Sequence, residues 1–552
     1  ARVEPPASPK AAAVAAALWA VHPLGTEAVA NVAGRADLLM TAGVLGAINA
    51  HLLVASSDGR ARLAWLMVVG AATLLAASAK ETGVTVVALL VLIDLVREPD
   101  DRTRHWPSWL AAGLATALYL AARAAAIGDA PVTPFPFVDN PIAGAEGLQG
   151  RLTAMVVAGR YLRLALWPAT LSADYSFAQL PLASGTPSDW LHGALVAVFL
   201  AVTVWAGLRR HVAFALLGAS LLTFLPASNL LFATGTVMGE RLAYLPLAFA
   251  LAAVAATVFA RPLTPAQTRT ALGAAAVVVA AFAIRTVVRN ADWRDEVSLW
   301  TATVRAAPLS FKSHGNLAEA LYRADPTRAN IDRVIDEKTV SVSLLAGLPR
   351  PEETSKPYME LATYHLERGD LRDRQADARE GARADYQRAA DLLRTYLQLL
   401  DRSSATTDAD RARAQLMLAT AEGHVTTGGA AVDTARAALA RQPFEPMAYR
   451  TMASALFAAG NAGEAAASLL TGFMLTGDQE LRGVAIDLYR RGLDPEGCAL
   501  RSGPAGITLN VDCAVVRQHL CAATAGAAAV QRAAGRPEMA AQIEQSMNGR
   551  CG

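Results

Sequence analysis

The stretch HPLGTEAVANVAGRAD, residues 22–37, places four ionisable side chains in a half of the chain where polar residues are otherwise scarce. They are His22, Glu27, Arg35 and Asp37. Near lipid hydrocarbon an ionisable group is costly unless it is paired or lines a wet cavity, so the stretch is a candidate functional site. The structural alternative is an ordinary interfacial loop held by a Glu27–Arg35 or an Arg35–Asp37 ion pair. Chemistry alone does not choose between the two.

Around this stretch the chain divides into two parts of different composition. Residues 1–289 contain long runs of Ala, Leu and Val, whereas residues 290–552 are charged and rich in helix-forming residues. The mean hydropathy of +0.29 is therefore an average over unlike parts. A length of 552 residues predicts more than one domain. The net charge of +2 is too small to indicate a nucleic-acid surface, and no basic run with interleaved aromatic residues is present.

Runs of about 20 apolar residues predict membrane helices. Good candidates lie at 38–56, 63–79, 83–96, 107–127, 190–208, 212–232, 242–260 and 270–288. A shorter Ala-rich run, Ala11–Val21, fits only as a truncated or tilted span. The preceding residues, ARVEPPASPK, lack the features of a signal peptide. We interpret them as a linker, and the chain as a fragment or a processed product.

Loop arginines predict the orientation of these helices. They occupy every second connection, and by the positive-inside rule those connections are cytoplasmic: Arg60, Arg62, Arg97, Arg102, Arg104, Arg209, Arg210, Arg261 and Arg269. The connections between them then face outward, and so does the C-terminal half. These outward connections are His22–Asp37, Lys80–Glu81, Gly128–Asp189 and Phe232–Arg241. Within the third, Arg151–Trp167 is predicted to be a helix lying in the membrane interface, because arginines interrupt its apolar face.

From Asn290 onward, short helical pairs with recurring Ala, Leu and Gly suggest tetratricopeptide-type repeats. The best matches are Ser313–Tyr322, Pro357–Asp370 with Ala384–Leu400, and Pro446–Leu475 around the turn Ala459–Asn461. Any α-solenoid fits nearly as well, and Asp401–Asp410 is predicted to be a disordered loop. A repeat array offers a concave face that binds peptides or proteins. The alternative is a structural cap on the membrane part.

All four cysteines lie near the C-terminus, at Cys498, Cys513, Cys521 and Cys551. Their spacing is not that of metal ligands, which argues against a zinc site. A location outside the cytoplasm favours disulfides, and sequence cannot choose among the three possible connectivities. We predict at least one disulfide. The alternative is free, buried thiols.

The predicted outward connections contain nine ionisable residues with the potential for chemistry: His22, Glu27, Arg35, Asp37, Lys80, Glu81, Asp174, Glu240 and Arg241. No nucleotide-binding Gly loop, Ser/His/Asp order or metal-ligand spacing is visible, so no metal is predicted. A lipid phosphate needs fixed cations, and Arg35, Lys80 and Arg241 suit that task. A carboxylate that removes a proton from an acceptor hydroxyl is also needed in sugar transfer. Candidates for that carboxylate are Asp37, Glu81 and Asp174, although Lys80–Glu81 fits a simple helix-end pair equally well.

Several blocks of sequence, taken together, resemble one known family. It is that of the transmembrane, tetratricopeptide-repeat O-mannosyltransferases and their bacterial relatives, and the resemblance covers roughly Ala11–Ala324. The blocks are HPLGTEAVANVAGRADLL, AKETGVTVVALLVLIDL, DNPIA followed by RLTAMVVAGRYLRLALWPATLSADYSF, FLPASNLLFATGTVMGERLAYLP, and RNADWRDEVSLW.

This resemblance implies an all-α, C-type glycosyltransferase fold, with a membrane helix bundle over 1–289 and an extracytoplasmic tetratricopeptide-like solenoid over 290–552. The implied donor is a polyprenyl-phosphate sugar, with no other cofactor, and the implied acceptors are protein Ser and Thr hydroxyls that the repeats bind. The implied location is an inner membrane, as in the bacterial relatives. Predicted catalytic residues are Asp37, Glu81 and Asp174. Predicted donor-binding residues are His22, Glu27, Arg35, Lys80, Glu240 and Arg241.

The sequence departs from the family at its N-terminus. Two membrane helices, and an outward loop with the main catalytic carboxylate, are expected before Ala1. The resemblance therefore predicts donor binding for this chain and leaves turnover open. Two other functions are considered: an oligosaccharyltransferase or ligase that uses a lipid-diphosphate glycan, and a non-enzymatic, membrane-anchored repeat scaffold. A scaffold does not need clustered charges on the outward face, and their presence argues against it.

Overall fold

A computed structural model describes residues 9–96, 99–128, 135–145, 147–209, 211–259, 263–346, 348, 354–375, 378–403, 406–426, 429–488, 501–503, 506–508 and 514–546. The chain forms two compact units, Ala1–Pro326 and Thr327–Gly552. The predicted all-α class is confirmed. The described residues add one short antiparallel hairpin, β1 (Arg501–Gly503) with β2 (Gly506–Thr508).

The first unit consists of helices. Its α-helices are α1 (Pro9–Ala20), α2 (Thr26–Ala30), α3 (Arg35–Ala55), α4 (Gly59–Ala79), α5 (Val86–Leu95), α6 (Pro99–Ile127), α7 (Gly147–Leu166), α8 (Pro187–Leu208), α9 (Ala213–Phe224), α10 (Tyr244–Phe259), α11 (Pro265–Asp292), α12 (Glu296–Ala306) and α13 (Phe311–Ala324). Its 3-10 helices are Pro23–Gly25, Val32–Gly34, Glu81–Thr85, Pro141–Gly144, Leu225–Ala227 and Glu240–Ala243. Helices α12 and α13 follow the predicted composition boundary at 289/290 and still belong to this unit.

Among the described residues, six helices are long and apolar enough to cross a membrane: Val32–Ala55, Gly59–Ala79, His105–Ile127, Pro187–Leu208, Glu240–Phe259 and Pro265–Asp292. Six of the eight predicted spans lie in these helices. A seventh span is possible where α1 and Pro23–Ala30 meet at an angle of 55°. The chain is therefore an integral membrane protein.

The remaining two predicted spans are broken. The run 83–96 becomes the 3-10 helix Glu81–Thr85 and then α5, which at 1.5 Å per residue is only about 15 Å long. Even so, this segment runs alongside α3, because Lys80 contacts Asp37 at one end and Asp94 contacts His51 at the other. Similarly, the run 212–232 becomes α9 and the 3-10 helix Leu225–Ala227. Apolar composition does not reveal such breaks.

The helix predicted to lie in the membrane interface is present as α7. It is not among the helices that are apolar enough to span a membrane, and its interfacial position stays a prediction. One face of α7 is buried against α8, where Gly159 permits close approach: a Cβ on Gly159 would lie 2.2 Å from the carbonyl oxygen of His192. The predicted orientation also stays a prediction, and three of its arginines, Arg97, Arg210 and Arg261, lie outside the described residues.

The second unit is a solenoid-like series of helices, as predicted, whereas the tetratricopeptide type stays a prediction. The helices are α14 (Ile331–Leu345), α15 (Lys356–Asp373), α16 (Arg379–Arg402), α17 (Asp408–Val425), α18 (Ala430–Arg441), α19 (Pro446–Ala458), α20 (Ala462–Thr476), α21 (Gln479–Leu488), α22 (Ala514–Ala533) and α23 (Pro537–Ser546). Each of α15–α16, α17–α18 and α19–α20 is a packed pair. The predicted turn between the last two contains Gly460 at φ +83°.

The predicted disordered loop Asp401–Asp410 is wrong at both of its ends, where five of its ten residues are helical. Helix α16 continues to Arg402, and α17 begins at Asp408. The reason is a capping box: the Thr407 hydroxyl accepts from the Asp410 amide while the Asp410 carboxylate accepts from the Thr407 amide. A polar run that contains Thr and Asp three residues apart thus starts a helix.

A buried aspartate connects three helices of this unit. Asp385 in α16 accepts hydrogen bonds from His365 (2.9 Å), Arg368 (2.6 Å) and Arg372 (2.8 Å), all in α15. Arg368 also reaches Asp332 of α14 at 2.6 Å. Burial opposes ionisation, but these hydrogen bonds and positive charges outweigh it and lower the pKa of the Asp385 carboxyl. The charged carboxylate therefore ties α14, α15 and α16 together.

One cysteine can be described, and it is oxidised. Cys521 in α22 is disulfide-bonded, which confirms the prediction of at least one disulfide. Cys498, Cys513 and Cys551 lie outside the described residues.

Candidate functional site

Two ion pairs with buried carboxylates form the centre of the candidate site. Glu27 is 1% exposed; its carboxylate accepts from the Arg241 guanidinium at 2.5 Å and from the Arg241 amide at 3.0 Å. Asp37 is 3% exposed and binds the Lys80 ammonium at 2.5 Å. Asp37 lies near enough to Glu27 for the two charges to act on each other. Four of the nine predicted residues are therefore neighbours, although they come from three distant parts of the sequence.

Short 3-10 helices place these side chains. Val32–Gly34 precedes α3, Glu81–Thr85 precedes α5, and Glu240–Ala243 precedes α10. Each turn thus leads into the N-terminus of a helix, where backbone N–H groups carry partial positive charge. These N-termini favour an anion, whereas Lys80 and Arg241 are each already paired with a carboxylate.

The 3-10 turn after Lys80 depends on a glycine. A Cβ on Gly83 would lie 2.3 Å from the carbonyl carbon and oxygen of Ala76, which are backbone atoms that cannot move aside cheaply. We expect Gly83→Ala to displace the turn and Lys80 with it, and to destabilise the protein by about 1–3 kcal/mol. Thermal unfolding in detergent measures the effect.

A matched control for this prediction is Gly113→Ala in α6, where a Cβ would meet nothing within 4 Å. That substitution should leave the melting temperature unchanged or raise it slightly, because Ala is the better helix former. Equal melting temperatures for Gly83→Ala and Gly113→Ala would contradict the close approach.

Glu240 forms a second buried cluster beside the first. It is 0% exposed; its carboxylate accepts from the Ser172 amide at 2.6 Å and from the Tyr175 hydroxyl at 2.7 Å. Its other oxygen lies 3.8 Å from the guanidinium of Arg289, which is also fully buried. Burial and the charge of Glu240 raise the pKa of Tyr175 well above its usual range, so this phenol keeps its proton for the hydrogen bond.

Asp174 is held inside the connection between α7 and α8. One carboxylate oxygen accepts from the Ser176 amide (2.9 Å), the Ser176 hydroxyl (2.6 Å) and the Ser310 hydroxyl (2.6 Å). Asp174 therefore fastens this connection to the start of α13. Among the interactions of the described residues, none joins Asp174 directly to Asp37 or to Glu27.

Glu81 and Arg35 lie at the surface. Glu81 is 63% exposed and pairs at 3.0 Å with Arg123 of α6, so the helix-end pair with Lys80 is not formed. Arg35 begins α3 and is exposed. Within the described part of the chain its guanidinium has no ion pair or side-chain hydrogen bond, so neither of the Arg35 pairs considered for the loop is present.

His22 is buried and has both ring nitrogens engaged. Nδ1 accepts from the Leu24 amide at 3.2 Å, and Nε2 lies 3.0 Å from the carbonyl oxygen of Ala165. The proton therefore sits on Nε2, because a carbonyl can only accept. His22 thus caps the turn Pro23–Gly25 and connects it to the C-terminal end of α7.

An apolar cavity of about 90 Å³ extends from these turns along α10. Leu24 and Ala243 line the end near the ion pairs, and Phe199 and Phe224 line the part between α8, α9 and α10. The remaining lining is almost entirely aliphatic. Such a cavity suits a hydrocarbon chain.

Three residues of these clusters were not predicted from the sequence. Arg289 lies just after the last predicted span, 270–288, and was not named as a candidate, although a buried arginine near a membrane is itself a signal of function. Tyr175 lies within a block that was quoted for the family resemblance. Ser310 carries no sequence signal.

Comparisons with known proteins find that the chain is similar in sequence to several protein O-mannosyl-transferases. It is 30% identical over 361 residues to the human "Protein O-mannosyl-transferase TMTC4", which covers 57% of this chain and 47% of that protein. It is 30% identical over 357 residues to the Drosophila melanogaster "Protein O-mannosyl-transferase Tmtc3", covering 56% of the chain and 38% of the relative. A Caenorhabditis elegans protein O-mannosyl-transferase, F38B6.6, is 28% identical over 318 residues.

No protein-family model matches the chain. The matched part spans between 38% and 47% of the length of the first two relatives. The same family was recognised above from blocks of sequence that include the ion-paired residues of this site. The matches confirm that recognition: this chain is related to the transmembrane and tetratricopeptide-repeat-containing O-mannosyltransferases.

Proposed function

We propose that this chain is part of a membrane glycosyltransferase that moves a mannose-like sugar from a polyprenyl-phosphate donor to protein Ser and Thr hydroxyls. The observation that carries the proposal is two ion pairs with buried carboxylates, Glu27–Arg241 and Asp37–Lys80, at turns between membrane helices. Its relatives bear the name of protein O-mannosyl-transferases.

The phosphate of the donor would lie beside Arg35, Lys80 and Arg241. Lys80 and Arg241 each already neutralise a carboxylate, whereas Arg35 is exposed and has its guanidinium donors available among the described residues. A planar guanidinium offers paired donors to phosphate oxygens. Arg35 would therefore make the strongest direct contact, and the helix N-termini at these turns would add to it.

The lipid part of the donor would enter the apolar cavity that begins at Leu24 and Ala243. Leu24 lies three residues before Glu27 and Ala243 two residues after Arg241, so the cavity begins close in sequence to the Glu27–Arg241 pair. The acceptor hydroxyl needs a carboxylate that it can reach. Of the three candidates, Asp37 is buried and Asp174 is hydrogen-bonded internally, whereas Glu81 is accessible.

The solenoid-like second unit would bind the acceptor protein, because stacked helical pairs present an extended surface to peptides. This role needs residues 290–552 on the side of the membrane where transfer occurs, outside the cytoplasm. The arginines at alternate connections support that orientation.

We expect an alkaline phosphatase fused after Ala324 to be active in bacterial cells, because this reporter is active only when exported. A β-galactosidase fused at the same position should be inactive. An active β-galactosidase fusion, with an inactive phosphatase fusion, would contradict the orientation.

A transfer assay tests the proposed reaction. The purified full chain in lipid nanodiscs receives polyprenyl-phosphate mannose with labelled sugar and a mixture of Ser- and Thr-containing peptides. Label should appear on these peptides and not on counterparts in which Ala replaces Ser and Thr. A lipid-diphosphate glycan should give no product. Transfer from the diphosphate donor alone would favour the oligosaccharyltransferase alternative, and no transfer and no donor binding would favour a scaffold.

A further inference from the structure

Three buried side chains converge at the far end of α3 from the candidate site. His51 of α3, Asp94 of α5 and His105 of α6 are 0%, 1% and 0% exposed. About 20 Å of helix separate His51 from Asp37, as given by a rise of 1.5 Å per residue. The proposed transfer reaction makes no use of these residues. Buried ionisable groups in a membrane domain nevertheless require a reason.

Three ligand atoms of this cluster form a small triangle. Nδ1 of His105 lies 3.0 Å from Nε2 of His51, and Oδ1 of Asp94 lies 3.2 Å from His51 Nε2 and 3.4 Å from His105 Nδ1. The three atoms therefore surround a common centre. They lie close enough to one another to hold one ion together.

In a hydrogen-bonded arrangement, each proton lies along one edge of this triangle, between two of the three atoms. A cation at the centre would instead accept a lone pair from each of the three atoms.

The dimensions match those of zinc. Zn–N and Zn–O bonds of about 2.0–2.2 Å in a tetrahedron place neighbouring ligand atoms about 3.4 Å apart. The observed separations of 3.0–3.4 Å approach this value. Two imidazoles and one carboxylate are a ligand set that zinc and similar divalent transition metals prefer.

The surroundings of the carboxylate also fit a metal ligand. The Trp109 indole N–H of α6 donates to Oδ2 of Asp94 at 2.9 Å, and the other oxygen, Oδ1, lies beside the two histidines. Metal ligands are commonly oriented by such hydrogen bonds from a second layer of residues. Trp109 is therefore a positioning residue for this cluster.

We propose that His51, Asp94 and His105 bind one divalent transition metal ion of the zinc class. Three protein ligands leave a fourth position for water. The ion links α3, α5 and α6. It holds the short helix α5 in place, and α5 is the helix that connects this end of the bundle to Lys80.

The test uses the full chain, purified without a polyhistidine tag, reconstituted in detergent and dialysed against ZnCl2 or CoCl2. Elemental analysis should find about one metal ion per chain, and cobalt should give the visible absorption of a tetrahedral site. His51→Gln and Asp94→Asn should abolish both signals. Trp109→Phe keeps the three ligands and should weaken metal affinity about 10-fold to 100-fold.

His211→Gln is the matched control, because it removes an imidazole from the same unit without touching the triangle. It should bind metal like the wild type. Should His51→Gln fail to fold, the wild-type chain decides: ZnCl2 should raise its melting temperature, and a strong chelator should lower it. A folded wild-type chain that binds no metal would overturn the proposal. So would metal binding that His51→Gln leaves intact, or a melting temperature that responds to neither zinc nor chelator.

Discussion

Arg289→Met should lower the free energy of unfolding by about 3–5 kcal/mol, because it leaves the Glu240 carboxylate buried with no cation beside it. Arg289 and Glu240 are both fully buried, and their charged groups are 3.8 Å apart. Met fills a similar volume, so lost charge rather than lost packing should dominate. Unfolding in mixed detergent micelles measures the difference.

Two variants identify the cause of this loss. Arg269→Met, at the other end of α11, removes an exposed arginine and should change the free energy of unfolding by no more than about 0.5 kcal/mol. Adding Glu240→Gln to Arg289→Met removes the unpaired charge and should recover a large part of the stability. Arg289→Met with wild-type stability would show that the pair does not stabilise the fold.

Arg35→Gln should weaken the binding of polyprenyl phosphate about 10-fold to 100-fold and leave thermal stability unchanged. A charge-assisted hydrogen bond contributes about 1.5–3 kcal/mol, which corresponds to that factor. Stability should not change, because Arg35 is exposed and has no ion pair among the described residues. Equilibrium binding of the lipid to the chain in nanodiscs measures the effect.

Arg35→Lys should also be harmful, because one ammonium cannot replace the paired donors of a guanidinium. Arg269→Gln removes the same charge from an exposed position on α11 and should bind the lipid like the wild type. Unchanged affinity in Arg35→Gln, or a loss equal to that of Arg269→Gln, would contradict a phosphate site at Arg35.

Much of the fold was predictable from the sequence, because membrane helices are recognised from a local property. Six runs of apolar residues and the helical second unit needed no knowledge of distant contacts. The breaks in two predicted spans did require knowledge of contacts. Gly83, for example, is required because Ala76, in the preceding helix, comes too close to admit a side chain. Composition also wrongly predicted disorder at the end of Asp401–Asp410, where a capping box starts α17 at Asp408.

Four residues of the candidate site, Glu27, Asp37, Lys80 and Arg241, were named from the sequence, but their pairing was not. Local reasoning offered Arg35 as the partner of Glu27 or Asp37, and Glu81 as the partner of Lys80. The structure pairs Glu27 with Arg241 and Asp37 with Lys80, over separations of 214 and 43 residues. Only the packing of the helices determines such partners. For the same reason, no spacing pointed to the cluster of His51, Asp94 and His105.

The most direct test of the proposed site is to map where the donor lipid binds. A photoreactive analogue of polyprenyl-phosphate mannose, with the reactive group beside the phosphate, is crosslinked to the full chain in nanodiscs and located by mass spectrometry. We expect saturable labelling within residues 22–37, 80–85 or 239–244, which competing polyprenyl phosphate prevents. Labelling confined to other helices, or labelling that polyprenyl phosphate does not reduce, would contradict a donor site at the Glu27–Arg241 and Asp37–Lys80 pairs.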